Sequence, residues 1–185
     1  GYLKHYPSTS GDLFLYGRPL PALLQRLDAS PLLVALARLE WACHEVHQAA
    51  DSPPLSPDRL QAMVSADPTR VTVQFQSSTR FLSFPIPVHR VWQALQPESS
   101  SDDDIDLPLP EEQTGVVVTR SDGKVQVTPL AWLDYRLVEA LSQGTDVASI
   151  EQMAFESEPE FDFARFMTTL LRLHVIAGCS VEEDL

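Results

Sequence analysis

Residues 97–112 constrain the organisation of the whole chain. They read Pro97-Glu98-Ser99-Ser100-Ser101-Asp102-Asp103-Asp104-Ile105-Asp106-Leu107-Pro108-Leu109-Pro110-Glu111-Glu112. A stretch this polar and proline-rich buries too little apolar surface to offset the entropy of ordering it, so 98–113 reads as an acidic linker. Two unlike charge balances flank it. Residues 1–97 carry 8 Lys/Arg against 7 Asp/Glu, and residues 98–185 carry 5 against 19. The pattern predicts two small domains, 1–97 and 114–185, with the linker as their boundary.

Composition excludes several classes. An apolar fraction of 44% is too high for general disorder, and no run of apolar residues is long enough to cross a bilayer. A net charge of −13 opposes coating nucleic acid or an anionic membrane. Two cysteines, Cys43 and Cys179, make neither a disulfide framework nor a four-thiolate zinc site, so a reducing cytoplasm is expected. The opening Gly1-Tyr2-Leu3-Lys4-His5-Tyr6-Pro7 has no signal-peptide pattern and no Met, which suits a native start further upstream.

The first half is mainly helical. Pro19 or Pro21 suits a helix's first turn, with Leu20, Leu23, Leu24 and Leu27 on one side. Ser30-Pro31 is a cap followed by proline, and Leu32, Leu36, Leu39, Cys43, Val46 and Ala50 then recur at helical spacing until Asp51-Ser52-Pro53-Pro54. Ser56-Pro57 opens a short helix to about residue 64. The period then changes to two: Val71, Val73 and Phe75 form a strand, and 80–84 returns as its hairpin partner. Val88, Val91, Trp92 and Leu95 suit one more helix.

In the second half, 116–120 and 124–128 flank Ser121-Asp122-Gly123, a hairpin signal. Pro129 then opens a helix bearing Leu130, Leu133, Leu137, Val138 and Leu141, ended by Gly144. Thr145 or Asp146 caps a second, with Val147, Ile150 and Met153. A third carries Phe163, Phe166, Met167, Leu170, Leu171 and Leu173 and ends at Ala177-Gly178. The expected class is α+β, with a helical first half and a winged-helix-like second half.

Chemistry-bearing clusters are few. Glu40, His44 and His47 share a helix face beside the apolar stripe and present two imidazoles and a carboxylate; the same positions equally describe a solvated shoulder. Cys43 belongs to the stripe. His174 falls on the apolar side of the last helix, near a C-terminus that favours a cation. No nucleophile order and no glycine-rich phosphate loop is present, so neither a catalytic nor a metal site is assigned and independent catalysis is not expected. Arg80, Phe84, His89, Arg90 and Trp92 combine cations with large apolar groups, the mixture that binding surfaces enrich, and mark a candidate interface.

Ala37-Arg38-Leu39-Glu40-Trp41-Ala42, the run from His47 to Leu55, the run from Ser78 to Val88, and Val91-Trp92-Gln93-Ala94 resemble the HvfC/BufC family over most of 31–96. Within it, the compact methanobactin-type members are most similar. The resemblance implies a heterodimer with an MbnB-like, barrel-fold iron enzyme. That partner would hold iron and O₂, with no cofactor in this chain, and convert precursor cysteines to oxazolone and thioamide. Proteins of the family have also been labelled DNA-binding. The second half resembles the peptide-recognition elements that take a leader peptide as an added strand. On that reading Val116, Val118, Arg120, Val125 and Val127 of the ribbon and Phe163, Phe166 and Leu170 of the third helix bind the leader. The acidic second half favours a leader with Lys or Arg. The alternative is a winged-helix DNA-binding regulator. Against it, residues 146–175 hold Arg165 and Arg172 beside Asp146, Glu151, Glu156, Glu158, Glu160 and Asp162.

Overall fold

A computed structural model describes residues 13–50, scattered positions from 52 to 65, residues 71–96 and residues 109–181. A 3₁₀ turn, Leu13–Gly17, leads into helix α1, Leu20–Arg26, whose first turn holds Pro21. Helix α2, Pro31–Gln48, starts where Ser30 Oγ accepts from the Leu33 N–H at 3.3 Å. It buries Ala35, Leu39, Ala42, Cys43 and Val46, with Leu32 and Leu36 packed at the margin. Ala50 lies past the helix end and is exposed. Ser56 Oγ accepts from the Arg59 N–H at 3.3 Å, as an N-cap does, but most of the expected short helix lies outside the described residues.

Strands β1, Val71–Phe75, and β2, Arg80–Phe84, form where the period-two pattern lies, yet they do not pair with each other. The expected hairpin is corrected by the pairings. β2 runs antiparallel to β3, Thr114–Ser121, with Leu82 opposite Val116. β1 runs antiparallel to β5, Ile176–Val181, with Val73 opposite Cys179. The cause is where the apolar side chains go: Val71 and Val73 enter one core, whereas Leu82 and Phe84 pack in another. Both pairings join residues before 97 to residues after 113. The expectation of separate domains 1–97 and 114–185 is therefore corrected, because each half pairs strands of the other.

β4, Lys124–Leu130, follows the Asp122-Gly123 turn, where φ is +51° and +75°, and completes a sheet ordered β2–β3–β4. Pro129 and Leu130 belong to this strand, so helix α4, Trp132–Ser142, opens later than the proline suggested. α5, Val147–Ser157, is capped by Asp146, which accepts from the Ser149 N–H at 2.9 Å. α6, Phe163–Arg172, is capped by Asp162, which accepts from the Arg165 N–H at 2.8 Å. α6 ends earlier than expected. His174 takes a left-handed φ of +54°, and the chain turns at once into β5.

The three-stranded sheet is covered on both faces. α2 and the short helix α3, Val88–Ala94, pack on the side of Val116, Val118 and Val127. α4 packs on the other side, where Val117 joins a core shared with β1, β5, α5 and α6. At Gly115 a Cβ would lie 2.4 Å from Tyr135 Cβ, so glycine is what lets α4 approach the sheet. The protein is α+β. Among the described residues, no helix is long and apolar enough to cross a membrane.

Candidate functional site

The residues expected to bind a leader peptide do not form one surface. Val116 and Val118 are wholly buried and Val127 nearly so, facing α2; Val125 packs partly against the same core. Phe166 and Leu170 are buried, and Phe163 half-buried, in the other core. The sheet lies between the two sets. That placement corrects the expected groove: these side chains already have partners. The ribbon is not one-sided, because helices cover both of its faces. Arg120 has a different task. Its guanidinium donates to the carbonyl oxygens of His47 and, at 2.6 Å, of Ala49. It thus satisfies the C-terminal end of α2, where the helix dipole favours a cation.

Of the residues expected at the enzyme interface, Phe84 and His89 are internal. Phe84 is 1% exposed and lies beneath Arg38, whose guanidinium carbon is 5.1 Å from the ring centroid. Arg80 Nε donates to Glu45 Oε2 at 2.9 Å, while its Nη1 donates to the carbonyls of Ser77 and Thr79. Glu45 Oε1 also accepts from Trp41 Nε1 at 2.9 Å, so one carboxylate ties α2 to β2. His89 is buried with Nδ1 lacking a partner; burial, with Arg90 nearby, pushes its pKa down. Trp92 packs partly against the α2 core. Of the five residues Arg90 is exposed, and Arg80 and Trp92 are half-buried.

Glu40 and His47 are exposed, and the His44 ring is half-buried, 5.2 Å from the Trp41 ring. Among the described residues no three His, Cys, Asp or Glu side chains are grouped to hold a metal ion. Glu40 and His44 edge an apolar cleft of about 500 Å³ between the 3₁₀ turn, α1 and α2, with Leu20, Leu24 and Leu36 in its walls. His174 is exposed beyond α6, not on its apolar side as expected, because the helix ends before reaching it.

The edges of the three-stranded sheet differ chemically. On β4, Pro129 brings no N–H, and Gln93 Nε2 of α3 donates to the Val127 carbonyl at 3.4 Å. Both features place the backbone groups of Val127 and Pro129 away from β3. Alternation along β3 then turns Val116 and Val118, their register partners, toward β2. Arg80, Leu82 and Phe84 therefore bond inward, and the backbone groups of Phe81 and Ser83 point outward. Among the described residues, β2 pairs on one side only. α2 flanks this strand on one face of the sheet, α4 on the other. Nothing in the residue pattern of 80–84 had separated an edge strand from a hairpin strand; Pro129, with its missing donor, was the available signal for the closed edge.

No protein-family model matches this chain, and no curated protein matches it.

Proposed function

We propose that this chain is a non-catalytic partner subunit of an iron-dependent peptide-modifying oxidase. It binds an extended precursor peptide and presents its cysteines for conversion to oxazolone and thioamide in methanobactin-type biosynthesis. The iron and O₂ belong to the MbnB-like enzyme on which it docks. The supporting observation is the unequal pair of sheet edges. β4 is closed by Pro129 and Gln93, whereas β2 offers the outward backbone groups of Phe81 and Ser83 between two flanking helices. Such an edge suits an added strand, whose main-chain hydrogen bonds supply affinity and whose alternate side chains supply selectivity. The resemblance over 31–96 supplies the class of partner.

The test uses the full chain, coexpressed with an MbnB-like enzyme and titrated with its precursor peptide. Ser83→Pro removes an outward donor without touching the bonds to β3. It is expected to weaken precursor binding about tenfold, the effect of one good hydrogen bond to the backbone. Val125→Pro on the closed edge should leave affinity unchanged. Equal precursor affinity in wild type and Ser83→Pro, with both folded by circular dichroism, would remove β2 as the site. Failure of the two proteins to associate would overturn the subunit reading itself.

A further inference from the structure

We propose that Glu139 selects the peptide added to β2, by pairing with a Lys or Arg side chain on the peptide residue that lies beside Ser83. The inference rests on the proposed strand addition at β2 and names what that edge reads. Side chains that stand next to each other on neighbouring strands share a face of the sheet. On β2 that face is fixed by packing. Phe81, whose register partner is Val117, packs against the core shared with α4, and Ser83, two residues on, points the same way. The row across the sheet at this level is therefore Gly115 on β3, Ser83 on β2, and then the added residue.

Tyr135 spans that row. Its Cβ, Cγ and Cδ2 sit over Gly115, within 2.9 Å of where a Cβ would stand. The Ser83 side chain hydrogen-bonds its phenol oxygen, so the ring runs from β3 outward toward the open edge. There the phenol donates to Glu139 Oε1 at 2.9 Å, one turn further along α4. That leaves Oε2 for another donor. The carboxylate is half-buried, and among the described residues no Lys or Arg is paired with it. Arg38 acts on the phenol from a distance, but it stands over the Phe84 ring, on the face of α2. Beside Phe81 the α4 face is aromatic, with the Phe75 ring at 4.8 Å, so the edge has one place for a charge. Neighbouring strands lie about 4.8 Å apart, and Lys and Arg carry a cation on a stem long enough to pass Ser83 and reach the carboxylate.

The test titrates the full chain, in complex with the MbnB-like enzyme, with the precursor peptide and with variants of it in which each Lys or Arg is replaced in turn by Gln. In the wild-type complex one such replacement is expected to weaken binding about fivefold, the order of a half-exposed ion pair. Glu139→Gln keeps an acceptor for Tyr135 and loses the charge. It should weaken the unaltered precursor about fivefold as well, and the critical peptide replacement should then cost nothing more. If no Lys or Arg replacement weakens binding to the wild-type complex, the inference is overturned without recourse to a protein variant. If Glu139→Gln weakens every peptide alike, Glu139 acts only by holding Tyr135, and the inference is again overturned. Unchanged affinity in Glu139→Gln, with binding lost in Ser83→Pro, overturns the cation pairing and leaves strand addition standing. Unchanged affinity in Ser83→Pro removes the β2 edge itself, and this pairing with it.

Discussion

Gly115 and Tyr135 meet with no room between them: a Cβ on Gly115 would lie 2.4 Å from Tyr135 Cβ and 2.6 Å from Cγ. The opposing atoms begin at the Tyr135 Cβ, which no rotamer change moves away. Gly115→Ala is thus expected to push α4 off the sheet and to destabilise the protein by about 3 kcal/mol, the cost of overpacking a tight core. The midpoint of urea unfolding reads this out. A loss below about 0.5 kcal/mol would mean that α4 is not seated as described.

The limits of the sequence reading follow the same boundary between local and distant interactions. Ser30-Pro31 and its helical spacing located α2, and Asp122-Gly123 located the β3–β4 turn, because caps and turns depend on neighbours in the chain. Strand partners do not. β5 follows directly on α6 and went unseen, since Ala177-Gly178 resembles a helix stop and its partner β1 is about a hundred residues away. The burial of the proposed leader-binding valines did have a signal. Val116-Val117-Val118 is an unbroken apolar run, the mark of a strand covered on both faces, whereas a one-sided ribbon alternates. Arg120 carried no such mark, because its partners on α2 are brought to it only by the fold.

Arg120 should therefore behave as a structural cap. Arg120→Met keeps the aliphatic stem and leaves the carbonyls of His47 and Ala49 without their charged donor. The expected loss is about 2 kcal/mol, within the range for hydrogen bonds to a charged group. Arg120→Lys should recover only part of it, since one ammonium does not reproduce the two-armed guanidinium. If a precursor peptide instead loses affinity while stability is unchanged, the residue acts at a binding surface.

His89 sets a pH dependence whose sign is fixed. Burial holds its folded pKa below 6.5, so the unfolded chain binds more protons near that pH than the folded one does. Its contribution is intact above the unfolded pKa and is lost as pH falls through about 6.5 toward the folded value. Asp134, also shifted up by burial, works the opposite way, but from its ordinary value of 3.8 upward, so it favours the folded state in more acidic solution. Unfolding free energy should then rise between about pH 5 and pH 7. His89→Gln, unable to titrate, should flatten that rise. An unchanged slope in His89→Gln would show that the imidazole is not buried neutral.

The two cysteines should separate by reactivity. Cys43 lies within the α2 core, where burial and then the nearby Glu40 push its thiol up to about 12. Cys179 is half-buried in β5, and its thiol is raised by burial but lowered by Arg59. Thiolate is the reacting form, and access matters as well, so both factors protect Cys43 more strongly. In the folded protein at pH 8, a thiol reagent such as 5,5′-dithiobis(2-nitrobenzoate) should modify Cys179 first. Cys43 should react only at the rate of unfolding. Cys179→Ser should then leave a native protein with almost no fast-reacting thiol, and adding urea should expose the remaining one. Rapid labelling of Cys43 in folded Cys179→Ser would mean that α2 opens readily from the sheet, and that the core around Leu39 and Val46 is far less stable than its burial implies.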